Sequence, residues 1–165
     1  MTPQEFTKKY YPFALESQKK TGIHALAVMA QAAQETGWGK TIVGNMMFGV
    51  KAKANTPLNK KQLLTTTEYH STNTVKYPVI ISIEKLANGK YKYKVKDYFM
   101  KYDSPKESFD DHSDFFFRNQ RYAKALAVKN DANKFIDEIA KAGYATDPIY
   151  ATSLKSIIKR IQQYV

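Results

Sequence analysis

Residues 23–39 of this chain read IHALAVMAQAAQETGWG. Apolar residues recur in this stretch at helical spacing and predict a helix over residues 23–36, with an inner face of Leu26, Met29, Ala30 and Ala33. The glycines on either side of Trp38 predict the end of that helix, because glycine is the usual residue just past a helix C-terminus. Glu35 is therefore expected in the last turn.

The surroundings of Glu35 favour a carboxyl group with a raised pKa. The partial negative charge of the C-terminal carbonyls disfavours an anion in the last turn, and small neighbours with a nearby tryptophan desolvate the carboxyl. A general acid that works near neutral pH needs such a shift. From spacing alone, however, an exposed glutamate at a frayed helix end is the commoner situation, since helical glutamates lie mostly on the surface.

Further helices are predicted on both sides of this element. Thr2-Pro3-Gln4-Glu5 has the pattern of a capping box with proline at the first helical position, and Thr21-Gly22 ends that helix. Ser104-Pro105-Lys106-Glu107 repeats the pattern and predicts a helix with an apolar side of Phe109, His112, Phe115, Phe116 and Phe117. Other helices are expected from about Tyr122, over residues 131–141, and from Asp147-Pro148 to the end, with Asp147 as N-cap.

The middle of the chain has the pattern of strands. Residues 64–69 are rich in β-branched side chains, and residues 79–83 and 91–95 flank Ala87-Asn88-Gly89, where Asn-Gly is a strong hairpin signal. Lysines alternate with apolar residues in the second arm, which predicts one face toward a core and one in water. The order of elements predicts an α+β fold, a single domain over residues 1–165 with a small antiparallel β-lobe at about 62–99.

The net charge of +11 indicates a polyanionic partner or environment: nucleic acid, a membrane surface, or the anionic groups of a cell wall. The basic residues are scattered lysines, with three arginines among them, and arginine is the better residue for recognising phosphates and bases. We therefore expect no sequence-specific binding of nucleic acid.

Several site types and targeting segments are not expected from the sequence. There is no cysteine, and His24, His70 and His112 lack the spacing of a metal site, so we expect neither a metal nor a cofactor. His112 lies among phenylalanines and is expected to pack rather than to act in catalysis. The first twenty residues lack the apolar run of a signal peptide, and no stretch approaches the ~20 apolar residues of a membrane span.

Four segments, taken together, resemble a known family. Gln31–Lys40 (QAAQETGWGK) resembles the AQAALETGWG signature of the bacterial and phage glucosaminidase domains. Asn45–Lys51 (NMMFGVK) is similar to that family's NLFGIK, with methionine where leucine is usual. Tyr102–Phe109 (YDSPKESF) resembles part of FRKYDSPEESF, and Gly143–Tyr150 (GYATDPIY) resembles GYATDPNY. The four motifs occur in the family's order and span nearly the whole chain.

The resemblance implies a lysozyme-like helical domain with a β-lobe that hydrolyses peptidoglycan between N-acetylglucosamine and N-acetylmuramic acid. It implies Glu35 as the catalytic acid, Glu68 as a second acidic residue in the β-lobe, and Tyr144 at the border of the reacting sugar. We expect substrate contacts from the motif residues Trp38, Asn45, Phe48 and Tyr150. The partner implied is the glycan strand of the cell wall, and the protein is expected to act there as a monomer.

Alternatives remain open at this stage. Glu68 is either a base that activates water, giving inversion, or an orienting group while the substrate's 2-acetamido group attacks; a solvent-facing strand residue is the plainer interpretation. Trp38 suits both core packing and stacking on a sugar. For the whole domain, the alternatives are a lytic transglycosylase, a non-catalytic wall-binding module and a general polyanion binder.

Overall fold

The computed structural model describes residues 1–165 and contains six α-helices and one three-stranded sheet. The elements are α1 (Pro3–Thr21), α2 (Ala25–Thr36), β1 (Lys61–His70), β2 (Val79–Lys85), β3 (Tyr91–Met100), α3 (Pro105–Arg118), α4 (Ala123–Leu126), α5 (Ala132–Lys141) and α6 (Tyr150–Ile161). The chain forms two compact units. The helical unit comprises Met1–Phe48 and Asp103–Val165, and the β unit comprises Gly49–Tyr102.

The first helix begins and ends as its sequence predicts. The Thr2 side chain accepts from the Glu5 amide at 3.2 Å while the Glu5 carboxylate accepts from the Thr2 amide at 2.8 Å, which completes the capping box. Gly22 ends α1 in the left-handed conformation, with φ of +78°. The same chemistry starts α3, where the Ser104 hydroxyl accepts from the amide of Glu107.

Helix α2 lies in the core of the helical unit. It begins two residues later than predicted because the His24 side chain caps it, accepting from the Leu26 amide at 3.2 Å. Residues 25–33 are all buried, and α2 packs against α1, α5 and α6. Five of these nine residues are alanine, which lets the neighbouring helices approach closely. An all-round buried helix of this kind belongs in the interior of a domain.

The remaining helices of the helical unit supply one apolar side each. The buried side chains on α3, α5 and α6 include Phe109, Phe116, Phe135, Ile136, Ile139, Leu154 and Ile158. The prediction that Phe117 belongs to the apolar side of α3 is wrong, because its side chain is 48% exposed. Phe117 follows Phe116 directly, and adjacent positions on a helix point in different directions. The Lys129 ammonium covers its ring at 5.3 Å from the centroid.

The start of the last helix also differs from its prediction. Helix α6 begins at Tyr150, and the residue before it, Ile149, makes no side-chain cap. Asp147 instead closes a turn: its carboxylate accepts from the Ile149 amide at 3.0 Å, and its carbonyl accepts from the Tyr150 amide at 3.1 Å. The proline that follows Asp147 therefore lies in this turn and not in the first turn of the helix.

In the β unit, β3 is the central strand of an antiparallel sheet in the order β1-β3-β2. The predicted hairpin between β2 and β3 is confirmed, with Gly89 at φ of +81° in the turn. The predicted alternation in β3 is confirmed as well, because Tyr93 and Val95 are fully buried whereas Lys94 and Lys96 are exposed. Every residue of β2, an edge strand, is exposed. The sheet spans residues 61–100, close to the expected 62–99.

No helix of the chain combines the length and the apolar character that crossing a bilayer demands.

The turn after α2 has three consecutive residues with positive φ: Gly37 at 55°, Trp38 at 59° and Gly39 at 84°. Tryptophan is strained in this left-handed region, at a typical cost of about 1–2 kcal/mol. Glycine is favoured at position 39 for two reasons. Its φ is positive, and a Cβ at this position would lie 3.1 Å from the ring of the buried Phe6. The turn is therefore held in place by packing against α1 as well as by its glycines.

We expect Gly39→Ala to lower the free energy of unfolding by at least about 2 kcal/mol, since the new methyl adds a steric clash to the strain of positive φ. Gly89→Ala is the matched control: its φ is +81°, but nothing lies within 4 Å of a Cβ there, so the loss should be about 1 kcal/mol. Urea unfolding of both variants measures the difference. Equal losses would contradict a close packing role for Gly39.

Candidate active site

Glu35 lies in the last turn of α2, as predicted. Gly37 ends the helix, and its amide bonds to the carbonyls of Ala33 and Gln34. Of the six α-helices, α2 alone has no basic residue in its last turn. The Glu35 carboxyl thus faces the negative end of a helix without the lysine or arginine that the other five helices carry there.

The pKa of Glu35 is raised above its ordinary value, and the cause is desolvation by burial. The Glu35 side chain is nonetheless exposed to solvent. The two findings are compatible because water can touch the carboxyl from one side while the protein around it displaces most of the remaining solvent. A carboxyl group that is accessible and yet disfavoured as an anion is suited to donating a proton.

A buried hydrogen-bond network lies one turn before Glu35. The Gln31 amide nitrogen donates to the Tyr150 hydroxyl at 3.0 Å, so its oxygen is left to accept from His112 Nε2 at 2.8 Å. His112 is buried and stacks on Phe48 at 3.7 Å between ring centroids. The expectation that His112 packs is confirmed. Sequence reasoning did not find the network, although a glutamine amid alanines in a buried helix was a usable signal for it.

The His112 ring stays neutral in the folded protein. Burial lowers its pKa from 6.5 to about 3, and its bond to the Gln31 oxygen assigns the proton to Nε2. Because neutral His112 donates and Gln31 then donates in turn, the Tyr150 hydroxyl receives a hydrogen bond and keeps its own proton for another acceptor. The network therefore orients the Tyr150 side chain.

Tyr144 and Tyr150 lie within the electrostatic field of Glu35. Burial raises the pKa of both tyrosines, and the charge of Glu35 raises it further. Their rings lie 5.7 Å apart between centroids. Gln31 and Glu35 are four residues apart on one face of α2, which explains why the tyrosine bound to Gln31 also lies near Glu35. The helical unit thus brings together one carboxyl group and two tyrosine hydroxyls that remain protonated.

Two of the residues predicted to contact substrate are mostly buried. Phe48 is 2% exposed and packs against His112 and Phe109, and Tyr150 is 5% exposed. Little of either ring is open to solvent, and contact of these two residues with a ligand stays a prediction. Their aromatic rings complete the core around the Gln31 network. A sequence motif alone does not distinguish such support from direct contact.

Trp38 and Asn45 are both half-buried and have left-handed backbone conformations. The Trp38 ring packs edge-on to Phe6 at 5.8 Å between centroids, and the Arg160 guanidinium lies 5.4 Å from its centroid. Asn45 has a φ of +54°, which asparagine tolerates better than most residues and which turns the chain ahead of Phe48. Both residues therefore have packing or turn roles of their own.

Glu68 lies on β1 in the β unit, on the face of the sheet that carries the buried Tyr93 and Val95. The Lys51 ammonium donates to its carboxylate at 2.6 Å and also lies 3.3 Å from the Asp97 carboxylate. Partial burial lowers the pKa of Lys51, but its bonds to Glu68 and Asp97 outweigh that effect and raise the pKa overall. Glu68 is therefore more than a solvent-facing strand residue, because its carboxylate is paired with a cation. The sequence did not predict this triad.

No group of three or more His, Cys, Asp and Glu residues is arranged to hold a metal ion.

Solved structures share this architecture. The chain is similar to a C-terminally truncated glycoside hydrolase domain of Salmonella typhimurium FlgJ, with 30% identity, a TM-score of 0.72 and 98% of each chain covered. It is also similar to a mutant of the peptidoglycan hydrolase from Sphingomonas sp. A1, with 29% identity, a TM-score of 0.71, and coverage of 98% of this chain and 97% of that one. The protein is thus a lysozyme-like α+β domain of the glycoside hydrolase class.

Sequence comparison makes the assignment more specific. Residues 11–163 match the model of the glucosaminidase family, described as mannosyl-glycoprotein endo-beta-N-acetylglucosaminidase. The peptidoglycan hydrolase FlgJ of Vibrio parahaemolyticus is 32% identical over 167 residues, which cover 98% of this chain and 48% of that protein. The chain belongs to the glucosaminidase family. It spans about half the length of this relative.

We expect His112 to make the protein less stable as the pH falls. An unfolded histidine takes up a proton near pH 6.5, whereas folded His112 stays neutral to about pH 3, so protons favour the unfolded chain throughout this range. The loss from this residue should be about 2 kcal/mol between pH 6.5 and pH 5.

Urea unfolding at pH 7 and pH 5 measures this loss. His112→Gln, which retains a donor for Gln31, should remove it, whereas His70→Gln leaves His112 in place and should retain it. The same pH dependence in His112→Gln and in the wild type would show that His112 is not the source.

Proposed function

We propose that this domain hydrolyses the β-1,4 bond between N-acetylglucosamine and N-acetylmuramic acid in peptidoglycan, with Glu35 as general acid. Membership of the glucosaminidase family supports the reaction type, and relatives that are named peptidoglycan hydrolases support the substrate. The observation that carries the residue assignment is the raised pKa of Glu35 at the exposed end of a buried helix. Its site of action would be the cell wall.

In the first step, protonated Glu35 donates its proton to the glycosidic oxygen as the bond to the anomeric carbon breaks. Desolvation and the negative helix end keep the carboxyl protonated at higher pH than an ordinary glutamate. Positive charge develops on the sugar ring as the leaving group departs, and a nearby carboxylate then stabilises it. Glu35 becomes that anion once its proton has been transferred.

Tyr144 and Tyr150 are the groups next to Glu35 in this proposal. Tyr144 is half-buried, and as a protonated hydroxyl in the field of Glu35 it is placed to donate a hydrogen bond to a polar group of the sugar. Tyr150 would act indirectly. The Gln31 network fixes the position of its ring, which lies next to the ring of Tyr144. Trp38 and Asn45 would border the substrate through the parts of their side chains that remain accessible.

The second step has two routes. In the first, Glu68 removes a proton from the water that attacks the anomeric carbon, with inversion. In the second, the substrate's 2-acetamido group attacks, and Glu68 orients or stabilises the cyclic intermediate. Both routes use the carboxylate of Glu68, and the Lys51 ammonium donates a hydrogen bond to that carboxylate at 2.6 Å.

We expect Glu35→Gln to fold normally and to lose wall-degrading activity by several orders of magnitude, because glutamine has no proton of suitable acidity to donate. Glu16→Gln, an exposed change on α1, is the control and should retain full activity. Wild-type activity should fall as the pH rises through the raised pKa of Glu35, since the acid must be protonated. Turbidity clearing of purified peptidoglycan measures all three.

Retention of more than about a tenth of wild-type turnover in Glu35→Gln, a loss under about 1.4 kcal/mol, would exclude Glu35 as the acid. Mass spectrometry of the products tests the bond and the reaction class. The proposal requires reducing-end N-acetylglucosamine. An anhydro product would instead identify a lytic transglycosylase, and intact glycan with firm binding would identify a wall-binding module.

We expect Glu68→Gln to lower turnover strongly while Asp97→Asn leaves it near the wild-type value. The two residues share the same cation, Lys51, so the comparison separates a direct role of Glu68 from the general effect of disturbing the ion pair. Initial rates on intact wall are the measurement. Near-wild-type activity of Glu68→Gln would remove Glu68 from the mechanism.

Azide distinguishes the two routes in a Glu68→Gly variant. If Glu68 is the base, azide takes the place of the activated water and restores part of the rate. If the acetamido group is the nucleophile, azide restores little, and a thiazoline analogue of the cyclic intermediate binds tightly to the wild type.

A further inference from the structure

The positive charge of this protein is concentrated in the β unit. Residues 49–102 contain eleven lysines and three acidic residues, so a third of the chain carries +8 of the total charge of +11. Two of the three acidic residues, Glu68 and Asp97, share Lys51 on one face of the sheet. The opposite face of the sheet, away from this ion-paired side, carries a local excess of positive charge.

That opposite face has a row of lysines along its central strand. Lys92, Lys94 and Lys96 alternate with the residues that face the other side, so they point the same way at a spacing of about 6.8 Å. Their cross-strand neighbours include Thr65, Thr67 and Ser82, whose side chains are exposed hydroxyls. We call these six residues the lysine face. Like charges so close together repel each other, and folding of the sheet does not require them.

The lysine face also has a recess. A cavity of about 260 Å³ is lined by Thr67, Ser82, Glu84, Lys92 and Lys94. Two lysines and two residues with hydroxyl groups line it, and Glu84, opposite Lys92, is the one acidic residue of this face. The recess suits a single phosphate group, and the row of lysines provides further contacts for its neighbours along a chain.

We propose that the lysine face is a docking surface for a flexible phosphodiester polymer of the cell wall, in which a small polyol separates successive phosphates. Lysine ammonium groups act as point charges and accept such a polymer in many orientations. The proposal rests on the proposed function, because a wall-degrading domain meets its substrate where such polymers are attached. Docking there holds the domain on the wall between cleavage events.

The composition of the face disfavours nucleic acid as the partner. The β unit contains no arginine, and all three arginines of the chain lie in the helical unit. Single-stranded nucleic acids bind to rows of exposed aromatic rings. Of the rings on this face, Tyr69 is 57% exposed, but the Tyr98 ring lies 4.5 Å from the Lys61 ammonium, which covers it.

Binding of purified poly(glycerol phosphate) to the full chain tests the proposal. We compare a variant with Lys92→Gln, Lys94→Gln and Lys96→Gln with a control that carries Lys8→Gln, Lys19→Gln and Lys159→Gln. The control changes three exposed lysines of the helical unit and has the same net charge. The lysine-face variant should bind at least about tenfold more weakly at 0.1 M salt, and the salt dependence of log Kd should fall by about two units, since each lost phosphate contact contributes about 0.7.

Two results would overturn the proposal. One is equal binding by the two triple variants, which would show that only overall charge matters. The other is tighter binding of single-stranded DNA than of the polymer at equal phosphate concentration, which would identify a nucleic-acid surface.

Hydrolysis is measured separately, so that the two proposals can fail independently. The lysine-face variant should cleave wall stripped of phosphate polymer at the wild-type rate, and Glu35→Gln should bind the polymer as the wild type does. Loss of cleavage on stripped wall in the lysine-face variant would contradict a docking role, whereas absence of hydrolysis by the wild type would contradict the proposed function alone.

Discussion

The burial of residues 25–33 of α2 is the constraint on which the rest of the helical unit depends. Nine consecutive residues of this helix are buried, and α1, α5 and α6 pack around it. Gln31 is the one polar side chain among these nine, and at 1% exposure its amide has to find partners within the protein. His112 on α3 and Tyr150 on α6 provide them. Three helices are thus positioned by one buried amide as well as by apolar contact.

The same helix determines the chemistry of Glu35. A buried helix has to reach the surface at its end, and its C-terminal carbonyls create a region where an anion is unfavourable. The other helices place a lysine or arginine in their last turns, whereas α2 places a glutamate. A strained turn follows directly, with Trp38 in a conformation that tryptophan rarely adopts. The protein thus accepts two local costs in stability at the point where we propose that the reaction occurs.

Features that depend on neighbouring residues could be predicted from the sequence, and features that depend on distant contacts could not. The capping box at Thr2 and the hairpin at Gly89 are local, and both predictions are confirmed. The beginning of α6 was misplaced because Asp147-Pro148 fits both a helix start and a turn, and only the position of Tyr150 in the core selects the turn. Glu35 could be placed at a helix end from the periodicity and the glycines that follow it, but the Gln31 network and the Lys51 triad join residues far apart in the chain.

The two units differ in the net charge that they carry, and they therefore respond differently to solution conditions. The helical unit carries a small excess of positive charge, and its key carboxyl is tuned by desolvation, which salt screens little. The β unit carries exposed lysines. Salt screens the attraction of such lysines for a polyanion beyond a Debye length, which is about 8–10 Å near physiological ionic strength. Under the two proposals, salt acts on attachment to the polymer while pH acts on proton transfer by Glu35. A wall-bound enzyme that separates these two properties can be released from its substrate without any change in the acidity of the group that cleaves it.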